Sequence, residues 1–354
     1  MVRRAALCLL AAAALLALAA PADARFSRKK AIWGPTQVGG VSQFPLYHDL
    51  GAGIYEMSMS WARIARSRPS HPTDPADPAY RWSTNVDYAI SQARLYHMRV
   101  ALLIEAAPRW ANGGHGPEYA PKHARDFARF ARAAARRYPG VHLWLIWGEP
   151  SRRANWRPLP RFQCTAPRRY ARLLDATYVQ LKRQSRRNLV IGGDTFTTGD
   201  IAPRQFIKCM AYRHRTRPRM DMYGHNPFSR RRPNLHKPPL GFGYADFSDL
   251  DTLGRWLDRY LGRRRGKRLK LFLSEFTIPT DHSNYEFNFW TTRSVQASWL
   301  RSALRIDRRW SRIYTLGWFE LYDEPPSRGG DEVDRGLLDY RGGKKPSYNV
   351  FTAG

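Results

Sequence analysis

Eight short apolar runs alternate with amphipathic helical patterns along the chain, and this alternation restricts the fold more than any other feature. The runs are Ala31–Gly34, Gly53–Met59, Arg99–Ile104, His142–Trp147, Leu189–Gly193, Met220–His225, Lys270–Ser274 and Ile313–Phe319. Near-continuous apolar runs of this length suit strands covered on both faces. The clearest helix runs from Pro167, with Tyr170, Leu173, Leu174, Thr177, Tyr178 and Leu181 on one stripe and Arg or Lys opposite. Pro121 is expected to open another, with Phe127, Phe130, Ala131 and Ala134 facing inward until Tyr138-Pro139-Gly140 stops it. Asp249 precedes a third, carrying Leu250, Leu253, Trp256, Leu257 and Tyr260.

Strict β-then-α order implies a parallel sheet with crossover helices. Eight units predict an α/β fold, a closed (β/α)8 TIM barrel in a single domain, rather than an open doubly wound sheet. No Gly-rich phosphate loop follows any strand, so nucleotide-binding folds lose their main support. Pro69 to Pro78 and Arg230 to Asp246 are expected to be long loops after the second and sixth strands, on the side where such barrels build clefts.

Residues 1–24 are expected to be a cleaved export signal, with Arg3 and Arg4 ahead of the apolar stretch Ala5 to Ala20 and Ala22-Asp23-Ala24 as the cleavage site. That stretch falls short of the roughly 20 apolar residues a span needs. No membrane span is therefore expected, and the barrel domain would occupy 25–354 of a secreted or extracytoplasmic protein. Cys164 and Cys209 then form either one disulfide or two buried thiols. No cofactor is expected, and without C-x-x-C or H-E-x-x-H spacing no metal site either. His71, His115 and His282 fall in loops as surface histidines.

The net charge is +30, from 49 arginines and 10 lysines against 29 acidic residues. Clustered cations bind phosphate backbones, but Arg230-Arg231-Arg232 and Arg263-Arg264-Arg265 stand beside Pro or Gly, in loops. With no zinc finger, RNP motif or long basic helix, nucleic acid is not expected as a partner, and the charge fits solvated faces.

If the barrel forms, its chemistry belongs at the carboxyl ends of the strands. Glu149 follows the fourth strand in Trp147-Gly148-Glu149-Pro150, and Glu275 follows the seventh in Ser274-Glu275-Phe276. Two carboxylates over one barrel mouth can divide glycosidic cleavage between them, one protonating the departing oxygen while the other attacks the anomeric carbon. Glu56, Glu105 and Glu320, near other strand ends, and Asp194 after the fifth strand are expected to pair with arginine or to bind sugar hydroxyls.

These motifs resemble the retaining (β/α)8 glycoside hydrolases of clan A, cellulase-like and β-xylosidase/iduronidase-like families included. There the acid/base glutamate stands in Asn-Glu-Pro after strand four and the nucleophile after strand seven. Ile146 to Ser151, followed by Asn155-Trp156-Arg157-Pro158, is most similar to the β-xylosidase/iduronidase-like branch. The resemblance spans residues 31 to 353 and is specific in two short motifs. It implies Glu149 as acid/base, Glu275 as nucleophile, and substrate contacts from Trp147, His225, Asn226, Trp318 and Glu320. Trp318 would be an aromatic floor for the sugar. The implied partner is a carbohydrate, an acidic polysaccharide if the arginines line the cleft, and the implied enzyme is a monomer.

Three positions depart from the clan's pattern. Gly148 replaces the Asn that holds the sugar 2-hydroxyl, Tyr55-Glu56-Met57-Ser58-Met59 lacks the strand-two arginine, and Phe228 stands where a Tyr is expected. Asn226, Glu105 and Glu320 are candidates to replace these contacts. The alternatives are a hydrolase-like barrel that binds glycans with little or no turnover, and a basic polyanion-binding protein.

Overall fold

The computed structural model describes residues 27–160, 163–211, 217–263 and 266–354. The export signal predicted for 1–24 lies outside the described residues. Eight parallel strands close a barrel: β1 (Ser27–Trp33), β2 (Ala52–Ser60), β3 (Arg99–Glu105), β4 (Leu143–Ile146), β5 (Leu189–Phe196), β6 (Met222–Asn226), β7 (Lys270–Phe276) and β8 (Ile313–Trp318). Closure is made between first and last strands, with Ile32 beside both Tyr55 of β2 and Trp318 of β8.

A helix follows each strand: α1 (Phe44–Asp49), α2 (Thr84–Leu95), α3 (Ala124–Arg137), α4 (Thr165–Gln184), α5 (Pro203–Ala211), α6 (Leu250–Tyr260), α7 (Arg293–Arg309) and α8 (Pro346–Ala353). The predicted stripes are the buried faces: Phe127, Phe130, Ala131 and Ala134 of α3, and Tyr170, Leu173, Leu174, Thr177 and Leu181 of α4. Pro121 does not open α3; the helix starts three residues later, with His123 at its N-cap. Among the described residues no helix is long and apolar enough to cross a membrane.

Strand pleating sorts side chains between two cores. Ala31, Trp33, Ile54, Ala101, Leu103, Leu143, Leu145, Ile191, Met222 and Phe272 fill the barrel, whereas the alternate residues, such as Ile32, Tyr55, Leu102, Trp144 and Ile146, pack against the helices. The inward phase matters for function. Carried one step further it points Glu56, Glu105 and Asn226 into the mouth above Ile54, Leu103 and Gly224.

Two internal ties hold the shell. Cys164, at the N-cap of α4, is bonded to Cys209 of α5 with Cα atoms 4.9 Å apart. Lys30 of β1 is 3% exposed, and its ammonium donates to the carbonyls of Leu50, just past α1, and Phe351 of α8, both at 2.8 Å. Helix C-terminal carbonyls are good acceptors for a buried cation. Burial, and secondarily Arg308, pulls the Lys30 pKa down to about 8.

Candidate active site

The β4 exit sets the geometry. By strand alternation Trp147 would point into the barrel, but it has φ +66°, and Glu149 has φ +43°. Left-handed backbone at non-glycine residues costs of order 1 kcal/mol each and persists where the surroundings enforce it. The turn swings Trp147 outward against Trp156 and Phe127, with its indole N–H on the Asn155 carbonyl at 2.7 Å. The same turn brings Glu149 back over the mouth. Trp147 is 1% exposed and therefore supports the loop instead of meeting a ligand, contrary to expectation.

Both oxygens of the Glu149 carboxylate are engaged. Oε1 accepts from Asn226 Nδ2 at 3.0 Å, and Oε2 from Arg152 Nη1 at 2.7 Å and Asn155 Nδ2 at 3.3 Å. The Arg152 backbone N–H bonds the Glu149 carbonyl, forming a turn that folds the guanidinium back onto the carboxylate. At its other end, Asn226 accepts the backbone N–H of Glu275 through Oδ1 at 3.2 Å. Asn226, at the end of β6, thus joins the residues that close β4 and β7.

The mouth carries five carboxyl groups. Glu275 keeps partial access to solvent, yet burial raises its pKa well above the usual range, and Glu149, Asp194, Glu56 and Glu105 add repulsion in that order. Glu56, fully buried, takes a 2.8 Å hydrogen bond from Ser274 Oγ of β7, across the closing seam of β1 and β8, while its other oxygen is unpartnered. Burial raises its pKa well above the ordinary value, which favours its neutral form. Glu56 was expected to meet arginine or a sugar hydroxyl; its burial allows neither. Asp194 lies within β5, not after it, because a register irregularity beyond Gly192 and φ +43° turn it into the same space. Both its oxygens are unpartnered, the Glu149 backbone N–H facing it without closing a well-aligned bond, and burial raises its pKa strongly.

Gly148 has a structural reason. A Cβ there would lie 3.1 Å from Glu105 Oε2 and 3.1 Å from Leu103 Cδ2, so the Glu105 carboxylate occupies the space an asparagine would need. Glu105, beside Leu103, thereby fills the region of the missing side chain.

Two predicted contacts change role. His225 is fully buried, with Nε2 on the Ala245 carbonyl at 2.9 Å and Nδ1 on Thr195 Oγ1 at 2.9 Å. It ties β6 to the returning end of the 230–246 loop, which Arg231 clamps through Asp246 and Asp249. Burial lowers its pKa to about 4. Trp318 is 1% exposed, edge-on to Phe276 inside the helix-facing core. The partly exposed ring after β8 is instead Phe319, under the Arg335 guanidinium at 4.9 Å. Glu320 is partly buried; burial raises its pKa, and Arg335, which pairs with Glu286 and Glu324, opposes that rise.

Asp281, Asp323 and Asp334 also converge, but each faces a basic side chain: Arg293, Lys345 and the His282 imidazole respectively. The cluster is compensated from within.

Sequence reasoning missed Arg152 and the cavity beside it. About 890 Å³ lies between the β4, β5 and β6 loops, lined by Arg152, Phe196, Gln205, Phe242 and Tyr244 among others.

No protein-family model matches the chain, and no curated protein matches it by sequence. Solved structures do. A family 39 glycoside hydrolase from the gut symbiont Bacteroides cellulosilyticus WH2 matches with a TM-score of 0.70 at 16% identity, over 94% of this chain and 64% of that one. A monomeric beta-xylosidase from Caulobacter crescentus CB15 gives 0.60 at 16%, over 94% and 68%. Bacteroides uniformis beta-glucuronidase 2, covalently bound to cyclophellitol-6-carboxylate aziridine, gives 0.55 at 13%, over 93% and 35%. The chain spans less than two thirds of the first protein's length and about a third of the last. At these identities the likeness shows the fold alone, a closed parallel (β/α)8 barrel.

Proposed function

We propose that this chain is an exported, monomeric glycoside hydrolase that cleaves O-glycosidic bonds of poly- or oligosaccharides with retention. The observation that carries the reading is Asn226, which bonds the Glu149 carboxylate and the Glu275 backbone and so fixes one strand-end glutamate relative to the other. Glu275 attacks the anomeric carbon, the bond to the leaving oxygen breaks, and Glu149 delivers its proton to that oxygen. Glu149 then takes a proton from the water that releases the sugar from Glu275. The covalent adduct carried by a protein with the same barrel supports a nucleophilic step, and the Cys164–Cys209 bond supports an oxidising compartment.

Variants in the two glutamates test the reading. Glu275→Ala abolishes hydrolysis of an activated aryl glycoside, while Glu149→Ala still glycosylates slowly and regains turnover with azide. Unchanged turnover in either variant overturns the assignment. The engagement of both Glu149 oxygens favours a second reading, a glycan-binding barrel without turnover. Glycan binding by the wild type without hydrolysis across a broad substrate panel would select it.

A further inference from the structure

Beside the candidate catalytic pair, the cavity of about 890 Å³ has the make-up of a ligand site that neither glutamate explains. Its size falls within the roughly 300–1,000 Å³ of small-molecule pockets. Arg152 is its cation: one nitrogen holds Glu149, the guanidinium lies 4.6 Å over the Phe196 ring, and its other N–H groups have no partner among the described residues. The acid in the lining, Asp200, is taken up by the Arg153 backbone N–H at 2.7 Å and the Arg153 guanidinium at 4.0 Å.

At the rim stands Phe242, 92% exposed, with φ +60° between two glycines. A bulky aromatic in left-handed backbone is costly, and with the ring in water no burial offsets the cost. Its loop is nevertheless pinned, Gly243 to Arg204 and Ala245 to Thr197 by backbone bonds at 3.1 and 3.0 Å. Tyr244 stands beside it, ring centroids 6.0 Å apart, and Thr198 and Gln205 bring neutral polar groups. Stacking rings, hydrogen-bonding amide and hydroxyl groups and one cation with free donors suit a sugar that carries a carboxylate.

We infer that this cavity is a saccharide subsite that takes an acidic sugar unit, its carboxylate on Arg152 and its ring on Phe242. The inference rests on the proposed function for the position of the scissile bond and deepens it by naming an acidic substrate. In the complex, the guanidinium divides its donors between the sugar carboxylate and Glu149, so Arg152 positions substrate and acid/base together.

Calorimetric binding to the full-length Glu275→Gln variant, in which no turnover occurs, tests this. The probes are a tetramer of β-1,4-linked glucuronate and its full methyl ester, which differ in the charge and one methyl group at each carboxyl. The acid binds about tenfold more tightly than the ester, as a charge-assisted bond of roughly 1.5 kcal/mol gives. Adding Arg152→Gln removes that preference, so that acid and ester bind alike, whereas Phe242→Ala weakens both probes and keeps the preference. Arg152→Lys, with the charge on a shorter stem, retains part of the preference and serves where Arg152→Gln loses the fold. Equal affinity for acid and ester overturns the inference, as does a preference that survives loss of Arg152 or binding indifferent to Phe242. Because binding is read without turnover, a wild type that hydrolyses no glycoside overturns the proposed function and leaves the subsite standing.

Discussion

Asn226 donates from Nδ2 to the Oε1 of Glu149 at 3.0 Å, and its Oδ1 accepts the Glu275 N–H at the same time. The two bonds use opposite ends of one amide, so its orientation is fixed: only oxygen can accept from the backbone and only nitrogen can donate to the carboxylate. Asn226→Ala lowers kcat/KM on an aryl glycoside about 10²-fold, the usual loss for an aligned donor at a reacting centre. Asn226→Asp loses more, because it sets a further carboxylate against Glu149. Equal kcat/KM for wild type and Asn226→Ala contradicts the role.

Glu275 works ionised, and burial followed by its acidic neighbours raises its pKa above the ordinary 4.5. As pH falls, kcat/KM therefore declines at a higher pH than an ordinary glutamate would give. Glu105 is one of those neighbours, so Glu105→Gln moves the acid limb to lower pH. A pH–rate profile of both proteins measures the change; a limb that stays put shows that Glu105 does not act on Glu275.

Glu56 keeps its proton when folded and loses it when unfolded, because burial raises its pKa. Between the unfolded pKa and the folded one, each rise of one in pH therefore favours the unfolded chain by about 1.4 kcal/mol. Glu56→Gln removes that slope. Urea unfolding gives a higher midpoint for the variant at pH 8 and little difference at pH 4, and parallel pH dependence in the two proteins refutes a neutral Glu56.

Restoring the clan's asparagine does not restore its chemistry. With Glu105 Oε2 and Leu103 Cδ2 both 3.1 Å from the position of a new Cβ, Gly148→Asn crowds the site. The variant is less stable by about 1–3 kcal/mol and no more active. Removing Glu105 in the same chain relieves the stability loss. Thermal unfolding of the single and double variants checks the coupling.

The Cys164–Cys209 bond closes a loop with a sequence separation of 45, restricting the unfolded chain by about 4 kcal/mol in the chain-entropy picture. Cys209→Ser lowers Tm by several degrees under non-reducing conditions, and a reductant lowers the wild type alone. Identical Tm values with and without reductant contradict the bond.

The barrel was legible because buried strands and amphipathic helices have different periods, and all eight strands lie within a few residues of the predicted runs. Strand ends were not, since backbone irregularities decide them. Asp194 follows Gly193, whose φ is +94°, inside a strand that continues to Phe196. The tryptophans misled for separate reasons. Trp147 points away from the mouth because of its own φ, and Trp318 shares the outward phase of Leu316 and of its β1 neighbour Ile32, which leaves it in the outer core. Glu149, Glu275 and Asn226 were legible from motif and position, and the inward phase of β2 and β3 places Glu56 and Glu105. Arg152 and Phe242 sit in irregular loops, where no periodicity tells which way a side chain points.

The buried ammonium of Lys30 makes the closing seam of the barrel answer to two helix ends far apart in sequence. Its acceptors at Leu50 and Phe351 lie at the ends of α1 and α8, so a change that loosens α8 leaves a desolvated cation with one carbonyl fewer and is felt in β1.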